Sequence, residues 1–95
     1  MIREVGGRLC ISGPVTLENV MKLREESAQF FGKAALLVDF SEVEGIDSAS
    51  VSLMLEWMRK ARSTGCDVRF TNLGESISSL IDLYGVEDLI PLGAN

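Results

Sequence analysis

The sequence predicts a single α/β domain in which a mixed β-sheet is packed with about three α-helices. Three observations carry this expectation. The chain has 95 residues, close to the commonest size of a domain with one core. Short strand-like runs alternate with longer stretches whose apolar residues recur at helical spacing, the pattern of right-handed crossovers in a sheet covered by helices. The run Ala34 to Phe40 (AALLVDF) is apolar almost throughout, as a central strand buried on both faces would be. A hydrophobic content of 46% and a charged content of 24% argue against disorder. No repeat, low-complexity tract or linker divides residues 1–95, so one domain is expected throughout.

The elements follow in order. Ile2 to Val5 and Arg8 to Ser12 read as two strands joined by a Gly6-Gly7 hairpin turn. Gly13-Pro14 is expected to break the second strand. Thr16 is a suitable N-cap for a first helix, with Leu17, Val20, Met21, Ala28 and Phe31 at helical spacing and Gly32 as the stop. The apolar strand ends at Phe40, and Ser41 to Ile46 (SEVEGI) reads as a loop. Asp47 and Ser48 are both good N-caps for a second helix reaching about Thr64, closed by Gly65. Cys66 to Thr71 alternates as a strand, and Glu75 to Leu83 forms a third helix ended by Tyr84-Gly85. Leu89 to Leu92 is expected to be a short terminal strand or coil, with Pro91 favouring a sheet edge.

Composition removes several classes of function. The net charge is −5 with nine Lys and Arg, a poor match to nucleic acid or anionic lipid, both of which need phosphate neutralisation. A basic patch on a partner protein is the more natural target. The chain has no histidine, so it lacks an imidazole base and any Ser-His-Asp or Cys-His unit. Two cysteines without histidine cannot build a structural zinc site. Cys10 and Cys66 lie in apolar strand-like runs and read as small buried hydrophobes of a protein in a reducing cytosol. Met1 to Cys10 has no signal-peptide core, and no stretch is apolar enough to span a membrane. Asp39, Glu42, Glu44 and Asp47 lack the order of a calcium loop, and no Gly-Lys-Ser/Thr follows Gly6-Gly7 or Gly13. No catalytic, cofactor or metal site is expected.

The informative stretch runs from Leu36-Leu37-Val38-Asp39-Phe40-Ser41, through Val43, to Gly45-Ile46-Asp47-Ser48-Ala49-Ser50-Val51. A strand ends in Asp-Phe-Ser, and Ile-Asp-Ser then opens a helix. This resembles the signature of the STAS family, the domain shared by sulfate transporters and anti-sigma factor antagonists, where the strand ends in Asp-Leu-Ser and the helix opens with Asp-Ser-Ser-Gly-Leu. Val68 to Leu73 and the later Ile77, Leu80, Leu83 and Tyr84 extend the resemblance over nearly the whole chain. Two positions depart from it. Ala49 stands where the antagonists carry their phosphoacceptor serine, and Ser50 stands where they carry glycine. A single hydroxyl followed by a small residue is more similar to the MlaB-like STAS subunit of Mla-type phospholipid ABC transporters, as is the closing SLIDLYGVEDLIPL.

That resemblance implies a non-catalytic cytoplasmic STAS subunit that binds the transporter's ATPase, and so meets the inner membrane only through its partner. The alternative it implies is an anti-sigma factor antagonist with an anti-sigma factor kinase as partner. In either case the expected docking surface is Asp47, Ser48, Ala49 and Ser50 at the start of the second helix, with Ser48 as the remaining phosphorylation candidate. At 100° per residue Val51, Met54, Leu55 and Met58 share one helix face, the expected core stripe. Leu53 and Trp57 then fall away from it and extend the docking surface. Asp47 also serves as helix cap, and Ser48 has no activating base nearby in sequence.

Overall fold

The computed structural model of the protein describes residues 1–93. Its secondary structure is β1 (Ile2–Val5), β2 (Arg8–Val15), α1 (Val20–Ser27), β3 (Ala35–Ile46), α2 (Ser48–Thr64), β4 (Asp67–Thr71) and α3 (Glu75–Leu83), with 3-10 turns at Ala28–Phe30 and Glu87–Leu89. The sheet has the order β1-β2-β3-β4. β1 pairs antiparallel with β2, while β2–β3 and β3–β4 are parallel, so the sheet is mixed as expected. Gly6 and Gly7 both have positive φ, +55° and +85°, which is what a two-residue hairpin turn demands at both positions.

Two expected breaks turn out to be strand. β2 continues past Ser12, and β3 runs twelve residues to Ile46. The stretch read as a loop is paired: Ser12 opposes Glu42, Gly13 opposes Val43, Pro14 opposes Gly45 and Val15 opposes Ile46. Register shifts between Cys10 and Ser12 and between Gly13 and Pro14 place one extra residue in β3 each time. Such bulges bend a strand and increase its twist. Pro14 is tolerated because pairing on the outer side of β2 reaches only to Ser12, which bonds Met1, and leaves that side an edge beyond it.

The helices bury one face of the sheet. Leu9 and Ile11, Leu36, Val38 and Phe40, and Val68 and Phe70 point into a core shared with Leu23 of α1, Met54 of α2 and Ile77 of α3. The other face is open, contrary to the two-sided burial read from AALLVDF. Leu37 is half-buried there and Arg69 exposed, and Cys10, expected in the core, is only partly covered. Cys66 is buried and both thiols are free. Burial pushes the Cys66 thiol pKa up, helped by the charge of Asp67. The open face carries ion pairs instead of a core: Arg3 with Glu42 at 3.1 Å, Arg8 with Asp39 at 2.9 Å and Arg69 with Asp67 at 3.4 Å.

The first helix also starts later than expected. Asn19 accepts hydrogen bonds from the Thr16 backbone N–H and hydroxyl at 2.8 and 3.2 Å, closing a loop, and the helix begins at Val20. Its inward residues are Leu23 and Ser27, followed by Phe31, whereas Leu17 and Met21 are exposed. Helix α3 has the predicted limits. After it, Leu92 bridges in parallel to Phe70, and Phe70 N–H donates to Pro91 at 2.9 Å. The chain therefore touches the β4 edge, as Pro91 suggested.

Candidate functional site

The site lies at the C-terminal ends of the parallel strands, where β3 hands over to α2. Asp39 fixes the approach to it. Its carboxylate accepts from Arg8 Nη1 at 2.9 Å, Ser41 N–H at 2.9 Å and Asn72 Nδ2 at 3.0 Å. One side chain thus ties β2, its own strand and the residue after β4 together. Burial pulls the Asp39 pKa upward, but the bonds from Asn72, Ser41 and Arg8 outweigh it and hold the carboxyl below its ordinary range. Asn72 has φ of +57°, a conformation that asparagine tolerates better than most residues. It turns the chain out of β4 while its amide holds Asp39.

Asp47 caps α2 as the sequence suggested. Its Oδ1 accepts from Ala49 N–H at 2.8 Å, and its Oδ2 accepts from Leu17 N–H at 3.0 Å. The cap therefore also pins the loop before α1 against the start of α2. Ser48 is exposed beside it. Ser50 is fully buried, and its hydroxyl donates to Asp47 O at 2.8 Å. Ala49 is 8% exposed. Of the four residues expected at the helix start, Asp47 and Ser48 present side chains to solvent.

Leu53 and Trp57 correct the sequence reading. Their exposures are 2% and 1%, so both belong to the core and neither extends a docking surface. Trp57 stacks on Phe70 at 6.2 Å and packs edge-on against Phe40 at 6.3 Å and tilted against Phe31 at 6.4 Å. Its indole N–H donates to buried Ser27 Oγ at 2.8 Å, and Ser27 donates on to Arg24 O at 3.0 Å. The error was one of phase. At about 100° per residue, the buried arc runs from Leu53 through Trp57, Ser50, Ala61 and Met54 to Val51. A serine and an alanine occupy its middle, which shifted the apparent apolar stripe toward half-buried Leu55 and Met58.

The rim is lined by a different element. An open groove of about 780 Å³ lies between the β3 arm, the α2 start and α3, and includes Val43, Glu44, Asp47, Glu75, Leu80 and Leu83. It exists because β4 stops at Thr71, opposite Asp39, while β3 continues seven residues further to Ile46 along β2 alone. A smaller hollow is formed by Ser48 with Ser52, Leu55, Tyr84 and Val86. Leu83 is 74% exposed and Tyr84 50%. The sequence carried a signal for Leu83: with Ile77 and Ile81 buried, Leu83 falls about 120° from the first and 160° from the second at about 100° per residue. Among the described residues no group of three Cys, Asp or Glu side chains is placed to hold a metal. No described helix is long and apolar enough to cross a membrane.

Comparison with known proteins gives the same architecture. The family model described as Mlab, STAS domain, matches residues 2–91. No curated protein matches the sequence. Among solved structures, the unphosphorylated anti-sigma factor antagonist SpoIIAA is similar over 100% of this chain and 88% of its own, with a TM-score of 0.75 and 14% identity. A Thermotoga maritima protein provisionally assigned as an anti-sigma factor antagonist is similar over 100% of this chain and 86% of its own, with a TM-score of 0.78 and 15% identity. The phosphorylated form of the Bacillus cell fate determinant SpoIIAA covers 100% and 91%, with a TM-score of 0.69 and 14% identity. At such identities the likeness is one of fold.

Proposed function

Because the chain belongs to the MlaB-like STAS domain family, we propose that it is a non-catalytic subunit that binds the ATPase of an Mla-type phospholipid ABC transporter and regulates or stabilises it. The observation that carries this reading is the match of the MlaB-like family over residues 2–91. The rim around Asp47 and Ser48 supports it. Ala49 removes the antagonists' phosphoacceptor, and the neighbouring hydroxyl of Ser50 is buried and hydrogen-bonded, out of reach of a kinase. The protein would work in the cytoplasm and meet the membrane only through its partner.

A direct test is complex formation with the ABC ATPase of the same cell, measured by size-exclusion chromatography. The wild-type chain is expected to co-elute. Ser48→Arg, a bulky charge on an exposed rim position, is expected to abolish co-elution with an unchanged melting temperature. Co-elution of the variant at wild-type level would move the docking rim elsewhere.

One feature favours a second reading, an antagonist that binds an anti-sigma factor kinase: the exposed hydroxyl of Ser48 at the α2 start, where the helix dipole favours a phosphate. Intact-mass analysis of the protein from native cells separates the two. Stoichiometric phosphate on Ser48 would favour the kinase-linked switch, and its absence the transporter subunit.

A further inference from the structure

The groove beside the α2 start has a chemistry of its own. Its apolar lining comes from Val43, Ile46, Leu80 and Leu83, its charged lining residues are Glu44, Asp47 and Glu75, and no Lys or Arg lines it. The surrounding sequence exaggerates this sign. From Ala34 to Met58 the chain carries Asp39, Glu42, Glu44, Asp47 and Glu56 and no cation, and from Phe70 to Asn95 it carries Glu75, Asp82, Glu87 and Asp88 and no cation. Those two segments hold nine of the 14 acidic residues, so the remainder, with five acidic residues and all nine Lys and Arg, is net +4. Leu83 lines this groove and its neighbour Tyr84 lines the smaller hollow with Ser48, and both are largely exposed.

We propose that this groove is the affinity-giving part of the docking surface and receives an amphipathic helix of the partner, an apolar stripe flanked by Lys and Arg. The inference rests on the docking reading above and deepens it by naming the partner's chemistry. The apolar walls favour a helix face with leucine-like anchors at i, i+3/i+4 and i+7. The carboxylates choose the sign of its flanks. A second copy of the chain is disfavoured as occupant, because a twofold contact through this face would set Glu44, Asp47 and Glu75 against their own copies. Phosphate-bearing ligands meet the same repulsion. Leu83, not Trp57, is then the anchor that the partner buries.

The test uses the full ¹⁵N-labelled chain and two synthetic helical peptides of one pattern, one built from Leu and Lys and the other from Leu and Glu. The Leu/Lys peptide is expected to shift amide resonances of Val43 to Asp47 and Glu75 to Leu83, and the Leu/Glu peptide to leave them in place. Leu83→Asp, and the double variant Glu44→Lys/Glu75→Lys, are expected to weaken the Leu/Lys peptide by about tenfold or more. All three substitutions are at exposed positions, so the variants should stay folded, with melts lowered by no more than a few degrees where Glu75→Lys and Leu83→Asp oppose the α3 dipole. Shifts mapping elsewhere, equal response to the acidic peptide, wild-type affinity in both variants, or the same resonances moving with protein concentration alone would each overturn the proposal. Repeating the co-elution experiment with Leu83→Asp keeps the two readings apart. If the ATPase binds wild type and variant equally, the groove proposal fails and the transporter reading stands. If the peptide results hold while the wild-type chain ignores the ATPase, the groove stands and the transporter reading fails.

Discussion

Helix α2 meets its neighbours in two different ways. Toward the sheet it is closed: Trp57 is 1% exposed, lies among Phe31, Phe40 and Phe70, and has its one polar atom satisfied by buried Ser27. Toward α3 it is open: Ser48 and Ser52 are exposed, Leu55 is half-buried, and Leu83 and Tyr84 stand largely in solvent. One helix thus builds the fold with one side and leaves the other unfinished. Where a large aromatic can find both apolar neighbours and a partner for its N–H, it becomes core. The residues available to another protein are those left after that requirement is met.

The sharpest way to break the contrast is at Trp57. Trp57→Ala removes the centre of the aromatic cluster and is expected to cost about 3–5 kcal/mol, a large part of the stability of a small domain. Urea unfolding followed by far-UV circular dichroism measures it. A cost below about 1 kcal/mol, the level of an ordinary surface change, would return Trp57 to the surface.

A smaller effect is expected at Asp39, which braces the start of the groove wall. Asp39→Asn removes the charge that Arg8 and Asn72 hold, with an expected loss of about 1–2 kcal/mol at neutral pH. The folded-state pKa lies below the unfolded one. The stabilisation is therefore complete above the ordinary carboxylate value near pH 4 and is lost as pH falls through the lower folded value. Unfolding curves of wild type and variant should begin to converge as pH falls below about 4. A gap that does not narrow at all as the pH is lowered further would assign the effect to packing and not to charge.

The smallest of the three concerns the cap at the open end. Asp47→Ala deletes bonds to Ala49 and Leu17 N–H and is expected to cost about 1 kcal/mol. Amide hydrogen exchange should rise at Leu17 and Ala49 and stay unchanged around Trp57. Uniform acceleration throughout the chain would show that the open and closed sides of α2 unfold as one unit.

Much of this was legible in the residues because local chemistry and tertiary structure agree. Gly6-Gly7, the Asp47 cap, the Gly65 stop and the limits of α3 all follow from backbone requirements that a sequence states directly. The misses share a cause: the deciding partner is distant in sequence. Ser41 to Ile46 looks like a loop because its own residues are acidic and include glycine, yet β2 residues some thirty positions earlier pair with it. Asp39 sits in an apolar run and is explained only by Arg8 and Asn72. In α2 the core face contains Ser50 and Ala61, which carry little hydrophobic signal, so the wheel drawn from sequence is out of phase and puts Trp57 on the wrong side. The α2 start follows from its cap residue Asp47, while the groove residues of α3 read in the sequence only as part of a helix pattern.

The separation of charge along the chain has a kinetic consequence. Asp47 caps the first turn of α2, while Arg59, Lys60 and Arg62 crowd its last turns, about 18–23 Å away at about 1.5 Å per residue. The domain is therefore an electric dipole as well as an anion. In the field of a basic partner such a body rotates before it touches, presenting the Ser48 end first, and productive encounters become more frequent without any added contact. At physiological ionic strength the field reaches only about 8 Å, so the orienting torque acts in the final approach. Raising salt should slow arrival far more than it hastens departure.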